Sequence, residues 1–353
     1  MLFAESLLHF RSPFVGTDST PSTDYSRGAG HPARSWRRGA QLHNADDQLV
    51  KAPAPVSEGW KWPQTGARSP FKEMQSATMR TKIRANSNPR IDVNNMINAE
   101  SVLSSLSQFR KSGPFHHCVI DDFFDIDVAR TLESQFLPYD DSRWFFYNNP
   151  IENKKALNDW NIFPSDSYKA FKYLNSREFI SLLEAAVGVP LFADEGLHGG
   201  GWHMHAAGGN LNPHLDYSIH PKLGLQRKLN IIIYLSEEMR EDYGGHLGLW
   251  KHDNNKNQPG PLMKEIAPKF NRAVLFDTTQ NSWHGMSRQL VQPDNIYRKS
   301  LAVYYLCEPV GDVDQRGRAL FAPREDQIGD EEVDRIIELR SQVSQSANVY
   351  RTL

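Results

Sequence analysis

The spacing of apolar residues changes character along this chain. Val93, Met96, Ile97, Val102, Leu103, Leu106 and Phe109 recur at helical intervals, with Gly113 as a stop. Phe115–Phe124 ("FHHCVIDDFF") reads as a strand. Asp127 can cap a helix whose face is Val128, Leu132 and Phe136, closed by Pro138, and Ser142–Asn149 reads as another strand. Ser165 and Ser176 can each cap a helix carrying Phe171, Leu174, Phe179, Leu182 and Leu183, ended by Gly188 and Pro190. After residue 197 the pattern shortens to strands separated by turn residues: His198–Ala206, Leu211–Tyr217, Lys228–Leu235, His246–Trp250, Leu262–Ile266, Ala273–Phe276, Trp283–Ser287 and Ser300–Cys307. Asp330–Gln345 has an amphipathic helical period. Some eight short strands after a helical section predict a mainly β fold with flanking helices: a double-sheet jelly roll or barrel, helices packed on its outer face.

Residues 1–90 break the pattern. They hold 8 of the 21 prolines and 13 Lys/Arg against 7 Asp/Glu, with no sustained period. Such a segment buries too little apolar surface to offset its ordering entropy, and it reads as a disordered basic tail. Translation starting at Met79 or Met96 is a further reading. The domain expected is therefore 91–353: a helical section 91–196, a jelly-roll core 197–309 and a C-terminal helix 330–345. A net charge of −2 gives no pull toward nucleic acid. Cys118 and Cys307 are too few for a disulfide framework and sit in strand-like runs, as buried core residues do. The opening "MLFAESLLHF" lacks the charge pattern of a secretory signal, and no run is long enough to span a membrane. A cytoplasmic protein without a membrane partner is expected; its oligomeric state is open.

Eight of the thirteen histidines lie between residues 198 and 284. His214 and Asp216 are two apart just before the most strand-like run, and a strand turns residues i and i+2 to one face. A 2-His-1-carboxylate metal site needs a second histidine from a distant strand. His284, 68 residues beyond Asp216, is the best candidate, and Gly285 would let the backbone approach a ligand. Arg298 and Ser300 follow 14 and 16 residues later, on one face of the strand "SLAVYYL"; guanidinium and hydroxyl suit the far end of a dicarboxylate.

His214-x-Asp216, His284 and Arg298-x-Ser300, threaded along short strands, resemble the iron(II)/2-oxoglutarate-dependent oxygenases. "RKLNIIIYLS" followed by "YGGHLGLW" is similar to the prolyl 4-hydroxylase-like branch. The resemblance implies a double-stranded β-helix (jelly-roll, cupin-like) core. It implies Fe(II) held by His214, Asp216 and His284, and 2-oxoglutarate gripped by Arg298 with Ser300 and the Tyr234 hydroxyl. Dioxygen is then the second co-substrate and ascorbate a candidate reductant. The implied reaction hydroxylates a C–H of an amino-acid side chain, free or in a protein, or of a small metabolite, releasing succinate and carbon dioxide. The carboxylate at Asp216 favours hydroxylation over halogenation, since a small residue there would open a site for halide. A cupin-type metal enzyme without 2-oxoglutarate and a non-catalytic jelly-roll binding module are the alternatives. Around this set, His203 and His205 alternate beside Trp202 and could line the cavity; His220, in the loop after Asp216, could cover it; His246 and Trp250 could face it.

Overall fold

The computed structural model describes residues 96–311 and 313–342; the proposed tail, 1–90, lies outside them. Five α-helices and fourteen strands are found among the described residues. The helices are α1 (Ala99–Leu106), α2 (Ile126–Ser134), α3 (Ser165–Leu174), α4 (Arg177–Val187) and α5 (Glu331–Ser341). The strands are β1 (His117–Ile120), β2 (Phe145–Asn149), β3 (Glu152–Leu157), β4 (Phe192–Ala193), β5 (Gly201–His205), β6 (Asn210–Leu211) and β7 (His214–Leu215). They continue with β8 (Gln226–Tyr234), β9 (Leu247–Asp253), β10 (Gln258–Ile266), β11 (Ala273–Asp277), β12 (His284–Met286), β13 (Arg298–Cys307) and β14 (Leu320–Phe321). No described helix is long and apolar enough to cross a membrane.

Helix ends follow local chemistry. Asn98, Asp125, Ser176 and Asp330 each cap a helix by accepting a backbone N–H in its first turn. The cap of α2 is thus Asp125 rather than Asp127, and α3 is entered through Pro164, with Ser165 its first residue. Gly188 closes α4 with φ 71°, a left-handed conformation that glycine takes at little cost.

The strands form two antiparallel sheets. The larger runs β1-β11-β8-β13-β5-β3-β2, with β4 and β6 attached; the smaller runs β10-β9-β12-β7-β14. This is the double-stranded β-helix expected. Alternation on β13 separates two environments. Leu301, Val303 and Tyr305 turn outward with Leu229, Ile231 and Ile233 of β8 into the main core, which includes Leu132, Phe171, Phe179 and Leu183 of the helices. The opposite face looks at the smaller sheet, where Tyr234, Val274 and Phe276 pack on Leu247, Leu249 and Ile266. Trp202, on the outward face of β5, stacks on Phe136 with centroids 4.7 Å apart and meets Phe163 edge-on at 5.0 Å. Such ring pairs each contribute about 0.5–1.5 kcal/mol beyond area burial.

The strands β2 and β3 form a hairpin on the open edge of the larger sheet. β3 ("ENKKAL") has no apolar alternation because its inward residues, Glu152 and Lys154, are buried as an ion pair at 3.1 Å instead of in an apolar core. The expected strand Leu211–Tyr217 is split into β6 and β7, with Asn212 and Pro213 between; Pro213 has no N–H to give a ladder. β10 carries Pro259 and Pro261 and is an edge strand, where missing donors face no partner.

Candidate active site

The smaller sheet brings the two histidines together. His284 of β12 is the direct register partner of His214 of β7, and their ring centroids are 4.3 Å apart. Asp216 follows one residue after β7 ends. His214 Nε2 lies 4.0 Å from Asp216 Oδ1, and His284 Nε2 lies 3.8 Å from Asp216 Oδ2. One ligand atom from each of the three residues falls within 4.8 Å of the others, and all three side chains are buried.

Each imidazole is oriented from behind. His214 Nδ1 hydrogen-bonds the Asn212 carbonyl at 2.9 Å and His284 Nδ1 the Ser282 carbonyl at 2.8 Å. A carbonyl accepts only, so both Nδ1 atoms carry the proton and both Nε2 lone pairs turn toward the carboxylate. Burial, then the neighbouring His284, pushes the pKa of His214 down to about 3; burial likewise lowers His284. Burial by itself would raise Asp216, but attraction to its neighbours, of which Arg227 keeps its charge while the imidazoles are neutral, outweighs it and lowers the carboxyl's pKa. Asp216 Oδ2 is buried without a hydrogen-bond partner among the described residues. Two neutral imidazoles and an ionised carboxylate with an unsatisfied oxygen, converging on one point, fit a divalent transition metal.

Gly285 serves a different approach from the one its position suggested. A Cβ built on it would lie 2.6 Å from the Asn212 carbonyl oxygen, so the glycine lets β12 close on the backbone before β7. The backbone it meets also orients His214.

Across the cavity, one rung of the larger sheet aligns His203 of β5, Ser300 of β13 and Tyr234 of β8; Arg298 pairs with His205 in the next inward rung. Arg298 is buried, donates through Nε to the Gly245 carbonyl at 2.9 Å and through Nη2 to the Tyr234 hydroxyl at 3.3 Å. No carboxylate pairs with it among the described residues, and burial lowers its pKa, the mark of a cation that lacks an anion. Lys299, on the other face, reaches Glu133 of α2 at 3.3 Å. His203, His205, Asn230, Arg298 and Ser300 line one cavity with His214 and His284.

A second, wider cavity of about 350 Å³ meets the metal-site residues from the other side. His214 and Asp216 line it, with Lys154, His203 and Tyr304 shared or adjacent to the first, and Arg227, Arg318 and Arg340 on its walls. Arg227 is held between the Tyr217 and Tyr304 rings, 3.4 Å from each centroid, with Nη1 3.5 Å from Asp216 Oδ1. The Tyr304 hydroxyl donates to the same oxygen at 3.2 Å. Arg227 and Lys154 had no motif to single them out for this site: one lies within "GLQRKLN", the other on the polar strand β3.

His220 and His246 lie elsewhere. His220 is buried, accepts the Lys222 and Leu223 amides through Nδ1, and approaches Asp194 at 3.6 Å, which fixes its loop. His246 approaches Glu241 at 3.9 Å, and Trp250 packs against Leu215 and Trp283; neither lines the two cavities. Cys118 and Cys307 are both buried and free.

Comparison with known proteins finds partial likenesses. Over 64 residues the chain is 38% identical to prolyl 3-hydroxylase OGFOD1 of Xenopus laevis, an alignment covering 18% of this chain and 12% of that protein. Prolyl 4-hydroxylases of Phytophthora capsici give a TM-score of 0.42 at 18% identity, covering 74% of this chain and 79% of theirs. A Pseudomonas putida prolyl-4-hydroxylase gives 0.39 at 16%, covering 60% and 100%. Residues 200–306, the stretch that holds both histidines, the aspartate, Arg298 and Ser300, match the sequence profile of the 2OG-Fe(II) oxygenase superfamily.

Proposed function

We propose that the chain is an Fe(II)- and 2-oxoglutarate-dependent dioxygenase that hydroxylates an unactivated C–H of an amino-acid side chain or a small metabolite. The observation that carries this reading is a cavity lined by both histidines of a buried 2-His-1-carboxylate cluster and by an arginine that has no acidic partner among the described residues. The relative from Xenopus laevis is named a prolyl 3-hydroxylase, which supports an amino-acid side chain as the target.

In this reading His214, Asp216 and His284 would hold Fe(II), and 2-oxoglutarate and dioxygen would be its co-substrates. Bound there, iron and 2-oxoglutarate supply the oxidation of the substrate C–H, with succinate and carbon dioxide as co-products. The chain's own contribution is placement. Arg298 binds the distal carboxylate, which would otherwise be a costly buried charge, and the Ser300 and Tyr234 hydroxyls meet its remaining lone pairs. The apolar cluster of Leu247, Leu249 and Phe276 behind His284 keeps water from the metal side. The catalytic unit is residues 91–353, with the basic segment 1–90 as a tail outside it.

Titration of the metal-free protein with Fe(II) under anaerobic conditions, with and without 2-oxoglutarate, tests the reading. One equivalent should bind and be removed by chelator. His214→Ala and His284→Ala should each abolish 2-oxoglutarate turnover while the circular dichroism spectrum is kept. Full turnover in either variant would remove the metal assignment.

A further inference from the structure

The wider cavity carries more positive charge than its own carboxylates balance. Among the described residues, four cations line it, Lys154, Arg227, Arg318 and Arg340, against two carboxylates, Glu152 and Asp216. Both carboxylates are already engaged: Glu152 with Lys154 at 3.1 Å and Arg340 at 3.0 Å, Asp216 with Arg227 at 3.5 Å. Arg318 has no acidic partner within 4.0 Å among the described residues, and its buried Nε has no hydrogen-bond partner there. A divalent metal together with the 2-oxoglutarate dianion is neutral, so loading the site leaves this excess in place. His198 on the same wall adds no charge, since burial and then Arg227 push its pKa down to about 4. A partly buried guanidinium without an anion is costly, and it is a fork suited to carboxylate or phosphate.

Position ties the excess charge to the reacting centre. Phe321 of β14 is the register partner of His214, so Arg318 enters the cavity three residues before the point where the chain lies against the metal site. A cavity of about 350 Å³ is at the small end of ligand sites. A prolyl side chain within a peptide brings no charge to such walls.

We propose, resting on the oxygenase reading above, that the substrate is a small molecule bearing an anionic group, a carboxylate or a phosphate, which Arg318 binds in this cavity while the reacting C–H is presented toward His214 and Asp216. The shared chemistry is the anion; its source is separated by the second arm of the test.

The first arm uses the protein loaded with Mn(II) and 2-oxoglutarate, freed of excess metal, with inorganic phosphate as the probe. Paramagnetic broadening of the phosphate ³¹P resonance reports an anion near the metal. Wild type should broaden the line well beyond a Zn(II)-loaded control, Arg318→Gln should reduce the effect by about tenfold, and Arg318→Lys should recover part of it. Mn(II) and 2-oxoglutarate affinities, measured by calorimetry on the same samples, should match wild type. No broadening in wild type, or equal broadening in Arg318→Gln, overturns the proposal. Failure of wild type to bind Mn(II) or 2-oxoglutarate at all would instead remove the oxygenase reading and this proposal with it. The second arm measures succinate release with small carboxylic acids and phosphate monoesters, each beside its uncharged amide or alcohol. Stimulation confined to one charged series supports the proposal and names the source; equal stimulation by the uncharged counterparts, or by a neutral prolyl peptide irrespective of Arg318, overturns it.

Discussion

Arg227 binds Asp216 from the side away from His284. Its guanidinium, clamped between two tyrosine rings, and the Tyr304 hydroxyl both address Oδ1, while Oδ2 is left turned toward His284. The pair therefore fixes which carboxylate oxygen remains for a metal. Arg227→Met should weaken metal affinity by about 10–100-fold, the usual cost of losing a group that orients a ligand. Arg227→Lys should restore little, because an ammonium cannot stack flat between rings. Competition with a fluorescent chelator measures this; wild-type affinity in Arg227→Met would mean the carboxylate is oriented by other contacts.

Arg298→Ala should leave the far carboxylate of 2-oxoglutarate unpaired in a buried space, a loss of about 3–5 kcal/mol. The KM for 2-oxoglutarate should rise by roughly two orders of magnitude or more, with Mn(II) binding nearly unchanged. Arg298→Lys should recover part of the loss. Normal 2-oxoglutarate affinity in Arg298→Ala would show that another cation holds the co-substrate.

Gly285→Ala should act on the metal without touching it. The added methyl meets the Asn212 carbonyl, so β12 must move away from the segment that orients His214. Metal affinity should fall while the thermal transition stays cooperative. If calorimetry shows tight metal binding in this variant, the close approach of the two strands is not needed for the site.

Cys118 should be chemically silent in the folded protein. Burial pushes its thiol up to about 12, so almost no thiolate exists at about pH 8. An alkylating reagent should leave Cys118 unmodified in native protein and modify it fully in guanidinium chloride, as read by peptide mass spectrometry. Fast modification of the native form would mean that β1 opens readily.

The candidate metal cluster was readable because its signal is local: a histidine and an aspartate two residues apart, a second histidine beside a glycine, and an Arg-x-Ser pair on a strongly apolar strand. The major strands of the core were readable as short apolar, β-branched runs, since β8, β11 and β13 are buried along almost their whole length. The walls of the wider cavity were not. Glu152 and Lys154 face inward on β3, where inward means polar, so the alternation that marks a strand is lost. Arg318 lies in a stretch with no period, and it is brought to the site by the pairing of the two-residue strand β14 with β7 and by the bonds of Arg316 to Ser218 and to the Asp216 carbonyl. Asp216 lies just past the end of β7 rather than within a continuous strand, because Pro213 interrupts the ladder that the apolar pattern implied.

Strand β13 holds Arg298, Ser300 and Tyr304 on one side and Leu301, Val303 and Tyr305 on the other. A displacement of one position along its neighbours would exchange the two sets, driving a guanidinium into the helix-packed core and leucine into the cavity. Intermediate alignments are therefore not available: under the proposed function, a molecule either pairs β13 correctly and can bind dicarboxylate, or binds none. The number of 2-oxoglutarate molecules taken up per chain then counts the correctly folded fraction of a preparation, independently of whether any substrate is known.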